Sequence, residues 1–251
     1  MSRSLAVLVS VLVAAVLSMA VFAVSGARRD PDAERRNSRF LMGAGDFLVH
    51  WLLWALRPLD RVAAALNLSP DFFNFAGLFF GLLSGIAIAT DRIELGGWAI
   101  ALGGVADIMD GRVARARQLS SPYGTFIDSM LDRFVEVFAF LGFVFYLRSF
   151  AWGPLVAAAA ITGSLLVSYT RARGESVGVL CKEGLMQRAE RLVLTFLVCL
   201  LDGPVTDGLG RPRGTAVLWI LGLIAVGTFA TAIQRTFWIS ARLREKARPG
   251  L

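Results

Sequence analysis

The chain has 251 residues, 56% of them hydrophobic, and a mean hydropathy of +0.62. A soluble domain of this size rarely reaches that apolarity, whereas a polytopic membrane protein does so routinely. The formal net charge is +7, from 26 Lys+Arg against 19 Asp+Glu; because the cations lie between hydrophobic spans, they point to anionic lipid and phosphorylated substrates, not nucleic acid.

Residues 5–24 form an apolar run of about twenty residues, long enough to cross a bilayer. Arg3 and the small residues Ser25, Gly26 and Ala27 also fit a signal peptide. The length of the run favours an uncleaved helix, as does the basic segment behind it with Arg28, Arg29, Arg35, Arg36 and Arg39. Residues 1–27 therefore read as an N-terminal transmembrane or signal-like segment, and 28–68 as a basic linker with a juxtamembrane helix. Over 40–66, Asp46, His50, Arg57, Asp60 and Arg61 interrupt Leu, Val, Trp51 and Trp54. That pattern predicts an amphipathic helix on the membrane surface, bent near Pro58, with His50 on its polar face.

Ser69-Pro70-Asp71 opens the next helix, with Ser69 as N-cap and Pro70 in the first turn, and the span runs over 72–90. Gly77, Gly81 and Gly85 recur every four residues, a smooth ridge for a neighbouring helix or a flat ligand, with plain helix packing the simpler use. Further spans follow at 95–115, 123–147, 152–173, 186–201 and 215–239, separated by short polar or Pro/Gly-rich loops such as 203–214. The expected fold is all-α: a polytopic bundle of six core transmembrane helices over 69–244, with a basic tail at 245–251.

Arg112, Arg115 and Arg117 share a side with Arg171, Arg173, Lys182, Arg188, Arg191 and the tail cations Arg242, Arg244, Lys246 and Arg248. Arg92, Arg148, Arg211 and Arg213 on the other side are fewer, so the first side is expected to be cytoplasmic and the membrane the inner one. Cys181 and Cys199 form no CxxC pattern and argue for neither disulfide nor zinc, and the single histidine excludes a His-rich metal cluster.

Into this apolar background residues 107–132 place four aspartates. Asp107 and Asp110 are three apart and Asp128 and Asp132 four apart, so each pair shares one face of a helix. Carboxylates are costly in a bilayer and need a reason to be there. Asp107 lies on the order of 12 Å inward from Arg115 at ~1.5 Å per residue, and Asp128 at a comparable depth. Carboxylates without Cys or His suit a hard cation, Mg²⁺ or Mn²⁺. The two pairs allow two ions bridged by one shared carboxylate. Gly111 and Ala114 leave room for a nucleotide, and Arg115 can neutralise a phosphate, which together support phosphoryl transfer. A divalent-cation transporter also carries intramembrane carboxylates, but it needs them reachable from both faces; these cluster near one.

The pattern Asp107-x2-Asp110-Gly111-x2-Ala114-Arg115-x8-Gly124-x3-Asp128-x3-Asp132 resembles the signature of the CDP-alcohol phosphotransferase family at every specified position. The resemblance covers roughly 69–244 and implies a CDP-linked donor attacked by an alcohol, with release of CMP. It implies Asp107, Asp110 and Asp128 as ligands of two Mg²⁺ ions (Mn²⁺ as substitute), Asp128 bridging. Asp132 would be a further ligand and the general base on the acceptor hydroxyl. Gly111, Ala114, Arg115, Gly124 and Asp71 would form the CDP-donor site. Ser69-Pro70-Asp71 resembles the family's opening of its first core helix, whereas Asn74 stands where Thr is common. A homodimer is implied as well.

Ser168-Tyr169-Thr170-Arg171-Ala172-Arg173-Gly174-Glu175 and Gln187-Arg188-Ala189-Glu190-Arg191-Leu192 resemble stretches of the phosphatidylinositol-phosphate and archaetidylinositol-phosphate synthases. The chain departs from them at Gly174 and Gln187 and in its Cys181-Lys182-Glu183 insert. The likeness implies an acceptor-phosphate pocket from Ser168, Arg171, Arg188 or Arg191, and Arg235. The expected activity is transfer of phosphatidyl from CDP-diacylglycerol to inositol 1-phosphate or another polyol phosphate in phospholipid biosynthesis. Glycerol 3-phosphate is the alternative acceptor.

Overall fold

The computed structural model describes residues 3–25, 45–181 and 183–247. Gly26, Ala27, the arginines at 28–39, the expected start of the juxtamembrane helix at 40–44, Lys182 and Arg248 lie outside the described residues. Among those described, every regular element is an α-helix: α1 (Arg3–Val24), α2 (Asp46–Ala55), α3 (Arg57–Ala65), α4 (Pro70–Ala89), α5 (Ile93–Ala116), α6 (Pro122–Tyr146), α7 (Gly153–Ser176), α8 (Arg188–Gly208) and α9 (Thr215–Lys246). They form two compact units, Met1–Gly81 with Ala101–Val135, and Leu82–Ile100 with Glu136–Leu251.

In the first unit α1 packs on α2: the Trp51 indole donates to Ser18 Oγ at 2.8 Å, and the Phe22 ring lies 5.5 Å from Phe47 and 5.6 Å from Trp54. The expected bent surface helix is two helices, broken at Leu56, with Pro58 in the first turn of α3, where its missing N–H costs nothing. His50, expected on a polar face, is buried, 3.7 Å from Asp46 Oδ1. Leu56 and Ala63 pack with Met109 and Val113 of α5, so the amphipathic stripe of α2–α3 is matched to protein. Ser69 caps α4 as its sequence predicts, its hydroxyl accepting the Phe72 N–H at 3.2 Å. A methyl built on Gly81 would meet the Val135 Cα at 2.8 Å, so this part of the glycine ridge receives a helix backbone.

The second unit has an apolar core built around Ile88, Phe140, Phe143, Leu147, Leu221 and Ile224. Asp202, fully buried on α8, accepts from Tyr146 OH at 2.9 Å, Gly214 N at 2.8 Å and Val217 N at 3.3 Å. It thereby caps the start of α9 with a charge of the favourable sign. Thr206 Oγ1 donates to the Asp202 carbonyl at 2.6 Å, and α8 continues through Pro204 to Gly208. A helix was expected to stop at 201; it runs on past the proline, with the Thr206 hydroxyl bonded back one turn to the Asp202 carbonyl.

By length and composition, α4, α7 and α9 are apolar enough to cross a membrane. Helices α5, α6 and α8 are as long, 24, 25 and 21 residues, but carry the charges that the spans were expected to contain. Cys181 and Cys199 are free and buried.

Candidate active site

The site is built where α5 turns into α6. Helix α5 ends on Gln118 in the left-handed region, φ 57°, with Leu119 N bonding back to Ala114 O at 2.8 Å and Gln118 N to Arg115 O at 3.1 Å. That is a Schellman closure made without glycine. Ser121 then starts α6: its hydroxyl accepts the Gly124 N–H at 3.1 Å and its carbonyl the Thr125 hydroxyl at 3.1 Å. The tight reversal brings the two aspartate pairs of the sequence onto neighbouring helices.

Asp107, Asp110 and Asp128 each offer a carboxylate oxygen, and the three atoms lie within 4.8 Å of one another. Asp110 is 6% exposed, and one of its oxygens accepts the Gly111 N–H. Three like charges so close, one of them buried, repel strongly unless a cation neutralises them. An all-oxygen donor set of this kind fits a hard divalent ion. Asp132, half-buried, lies one turn beyond Asp128 on α6 and is not one of the three.

Beside the carboxylates opens a cavity of ≈ 410 Å³. Asp71, Gly111, Ala114, Arg115 and Gly124, the five residues expected around a nucleotide, all line it, together with Asp110 and Asp128. Asn74 lines it too and is 9% exposed. A methyl built on Gly111 would meet Arg115 Nη1 at 3.0 Å, so the guanidinium lies over that glycine. Tyr123 and Thr125 also line the cavity and are not marked by the spacing of the acidic motif. One end of the cavity is thus acidic and suited to a cation, while Arg115 faces the same space with positive charge. A diphosphate accompanied by a divalent cation would suit such a lining, the carboxylates holding the cation and Arg115 offering the phosphates a positive charge.

A sequence profile described as CDP-alcohol phosphatidyltransferase matches residues 67–229. The chain belongs to this family. It is 32% identical over 188 residues to the archaetidylinositol phosphate synthase of Methanothermobacter thermautotrophicus, covering 75% of this chain and 91% of that one. It is 33% identical over 187 residues to the phosphatidylinositol phosphate synthase of Streptomyces avermitilis, covering 72% and 75%. The crystal structure of Mycobacterium tuberculosis phosphatidylinositol phosphate synthase with CDP-DAG bound has the same fold, with a TM-score of 0.62 at 23% identity over 72% of this chain and 92% of that one. The same enzyme in complex with manganese and citrate aligns with a TM-score of 0.63 at 22% identity, covering 72% and 87%. The family to which the chain belongs is thus one of transferases.

The residues expected around an acceptor phosphate lie in the second unit. Arg171 is exposed and pairs with Glu175 at 2.9 Å; Ser168 and Arg188 are half-buried. Arg191 and Arg235 are engaged by protein. Arg191, 2% exposed, makes a two-point pair with Glu136 at 2.6 and 3.0 Å and donates to Met186 O at 3.2 Å. Arg235 donates to Glu183 O at 2.7 Å and Val167 O at 2.8 Å. Glu136 continues the four-residue series of Asp128 and Asp132 along α6, a periodicity visible in the sequence but read there only as far as Asp132.

Proposed function

We propose that this protein is an integral-membrane, divalent-cation-dependent phosphatidyltransferase that moves phosphatidyl from CDP-diacylglycerol to inositol 1-phosphate or another polyol phosphate, releasing CMP. The observation that carries the reading is the meeting of Asp107, Asp110 and Asp128 within 4.8 Å at a cavity lined by Gly111, Ala114 and Arg115. Three relatives 31–33% identical to this chain support the acceptor: one is an archaetidylinositol phosphate synthase and two are phosphatidylinositol phosphate synthases.

Asp107, Asp110 and Asp128 would hold Mg²⁺, or Mn²⁺ in its place, as two ions with Asp128 shared. Bound there, the cation neutralises diphosphate charge and polarises the phosphoryl oxygens. Gly111, Ala114 and Gly124 give the cytidine space, Asp71 borders it, and Arg115 pairs with the diphosphate. Asp132 accepts the proton of the acceptor hydroxyl as its oxygen bonds to the lipid-side phosphorus. The bond from that phosphorus to the CMP oxygen breaks, and CMP leaves with the electron pair. Arg171 and Arg188, with Ser168, receive the acceptor's own phosphate, while Arg191 and Arg235 hold the surrounding backbone.

The same reading places α4 to α9 across the inner membrane as the six-helix core, the site opening to the cytoplasm, in a homodimer. Helices α5, α6 and α8 carry the charges expected of a bundle that buries its chemistry. The test is CMP release by purified protein with Mg²⁺ and CDP-diacylglycerol across inositol 1-phosphate, glycerol 3-phosphate and serine. Release should be greatest with inositol 1-phosphate. Equal or greater release with serine contradicts a phosphorylated polyol acceptor, and equal or greater release with glycerol 3-phosphate contradicts inositol 1-phosphate as the preferred one.

A further inference from the structure

The signature motif leaves Arg112 unspecified, and α3 lies before the segment 67–229 that the family profile matches. The two are nevertheless locked together. Arg112 Nε donates to Asp60 Oδ1 at 2.9 Å and to Oδ2 at 3.1 Å, and its Nη2 pairs with Oδ2 as well. The side chains are 10% and 30% exposed, so the pair is largely withdrawn from solvent. Arg117 Nη2 adds a bond to the Ala63 carbonyl of the same helix at 3.3 Å. Leu56 and Ala63 pack in one apolar cluster with Met109 and Val113.

Helix geometry gives this lock a consequence for the site. At about 100° per residue, Met109, Arg112 and Val113 share one face of α5, and Asp107, Asp110 and Ala114 share another, turned roughly 140° from it. Fixing the first face against α3 fixes the angle at which the second meets the cavity. We propose that Asp60 is a positioning residue for the CDP-donor site, acting through Arg112 to hold the rotation of α5. The juxtamembrane helix is then a working part of donor recognition, and the inference rests on the phosphatidyltransferase reading above. A bidentate carboxylate–guanidinium pair suits this task because it fixes orientation as well as distance. Removing the carboxylate takes away the two-point tie that orients the guanidinium against α3, so α5 is held less firmly in its rotation.

The test uses the full chain in lipid vesicles and measures donor KM, acceptor KM, kcat and Tm. Asp60→Asn should raise the donor KM about tenfold while leaving the acceptor KM within about twofold of wild type. Asp60→Glu should recover most of that loss, and so should the exchanged pair Asp60→Arg with Arg112→Asp. Unchanged donor KM in Asp60→Asn overturns the proposal. So does a parallel rise in both KM values with a lowered Tm, when the exchanged pair restores Tm without restoring donor KM. If Asp60→Asn does not fold, the exchanged pair decides alone: near-normal donor KM supports the positioning role, and a folded protein with raised donor KM overturns it. A wild-type chain that releases no CMP removes both readings. Active wild type with an indifferent Asp60→Asn removes this one only.

Discussion

Asp132 stands one turn from Asp128 on α6 yet outside the three-carboxylate group, and that separation gives the aspartates different expected behaviour. Asp107→Asn, Asp110→Asn and Asp128→Asn each remove charge from one shared cage, so each should abolish turnover and weaken Mg²⁺ binding measured by calorimetry. Near-normal activity in any two of them contradicts a cation site here. Asp132→Asn keeps shape and removes a base, so donor and Mg²⁺ should still bind while CMP release falls about 10²-fold or more. Parallel loss of binding would make Asp132 a ligand instead. These four residues are legible in the sequence because helical spacing is a sequence property. The partners Asp60–Arg112 and Glu136–Arg191 are not: each pair spans 52 or 55 residues, and only packing brings them together.

At the scale of elements, the turn between α5 and α6 holds Gln118 at φ 57°. Left-handed backbone costs a non-glycine residue about 1 kcal/mol, offset in part by the extra freedom glycine gives the unfolded chain. Gln118→Gly should therefore leave Tm unchanged or raise it slightly, whereas β-branched Gln118→Val should lower it. A marked loss of Tm in the glycine variant would show that the Gln118 side chain, and not the backbone, holds the turn. Such closures without glycine give no local signal, which is why the pattern marks the helices better than their ends. Pro204 misleads in the same way: it reads as a stop, but Asp202 and Thr206 supply hydrogen bonds around it. Helix α1 touches α2 through Trp51, Phe47 and Trp54, while the lock on α5 comes from α3. Deleting residues 1–27 should thus leave CMP release measurable. Complete loss in folded, inserted protein would make α1 part of the site.

At the scale of the whole molecule, α4, α7 and α9 are, among the described residues, long and apolar enough to cross a membrane, while α5, α6 and α8 carry charge along their length. The three-carboxylate group and the cavity beside it belong to the first unit, and Arg171 and Arg188 to the second. The transfer proposed above is a single displacement at the lipid-side phosphorus. It is tested most directly with CDP-diacylglycerol labelled at that phosphorus, given to the vesicle-reconstituted chain with Mg²⁺ and inositol 1-phosphate. The label should pass into an inositol-phosphate lipid while unlabelled CMP appears in equal amount, and chelating the metal should stop both. Label released with the nucleotide, or left in phosphatidic acid without joining the acceptor, would contradict the mechanism.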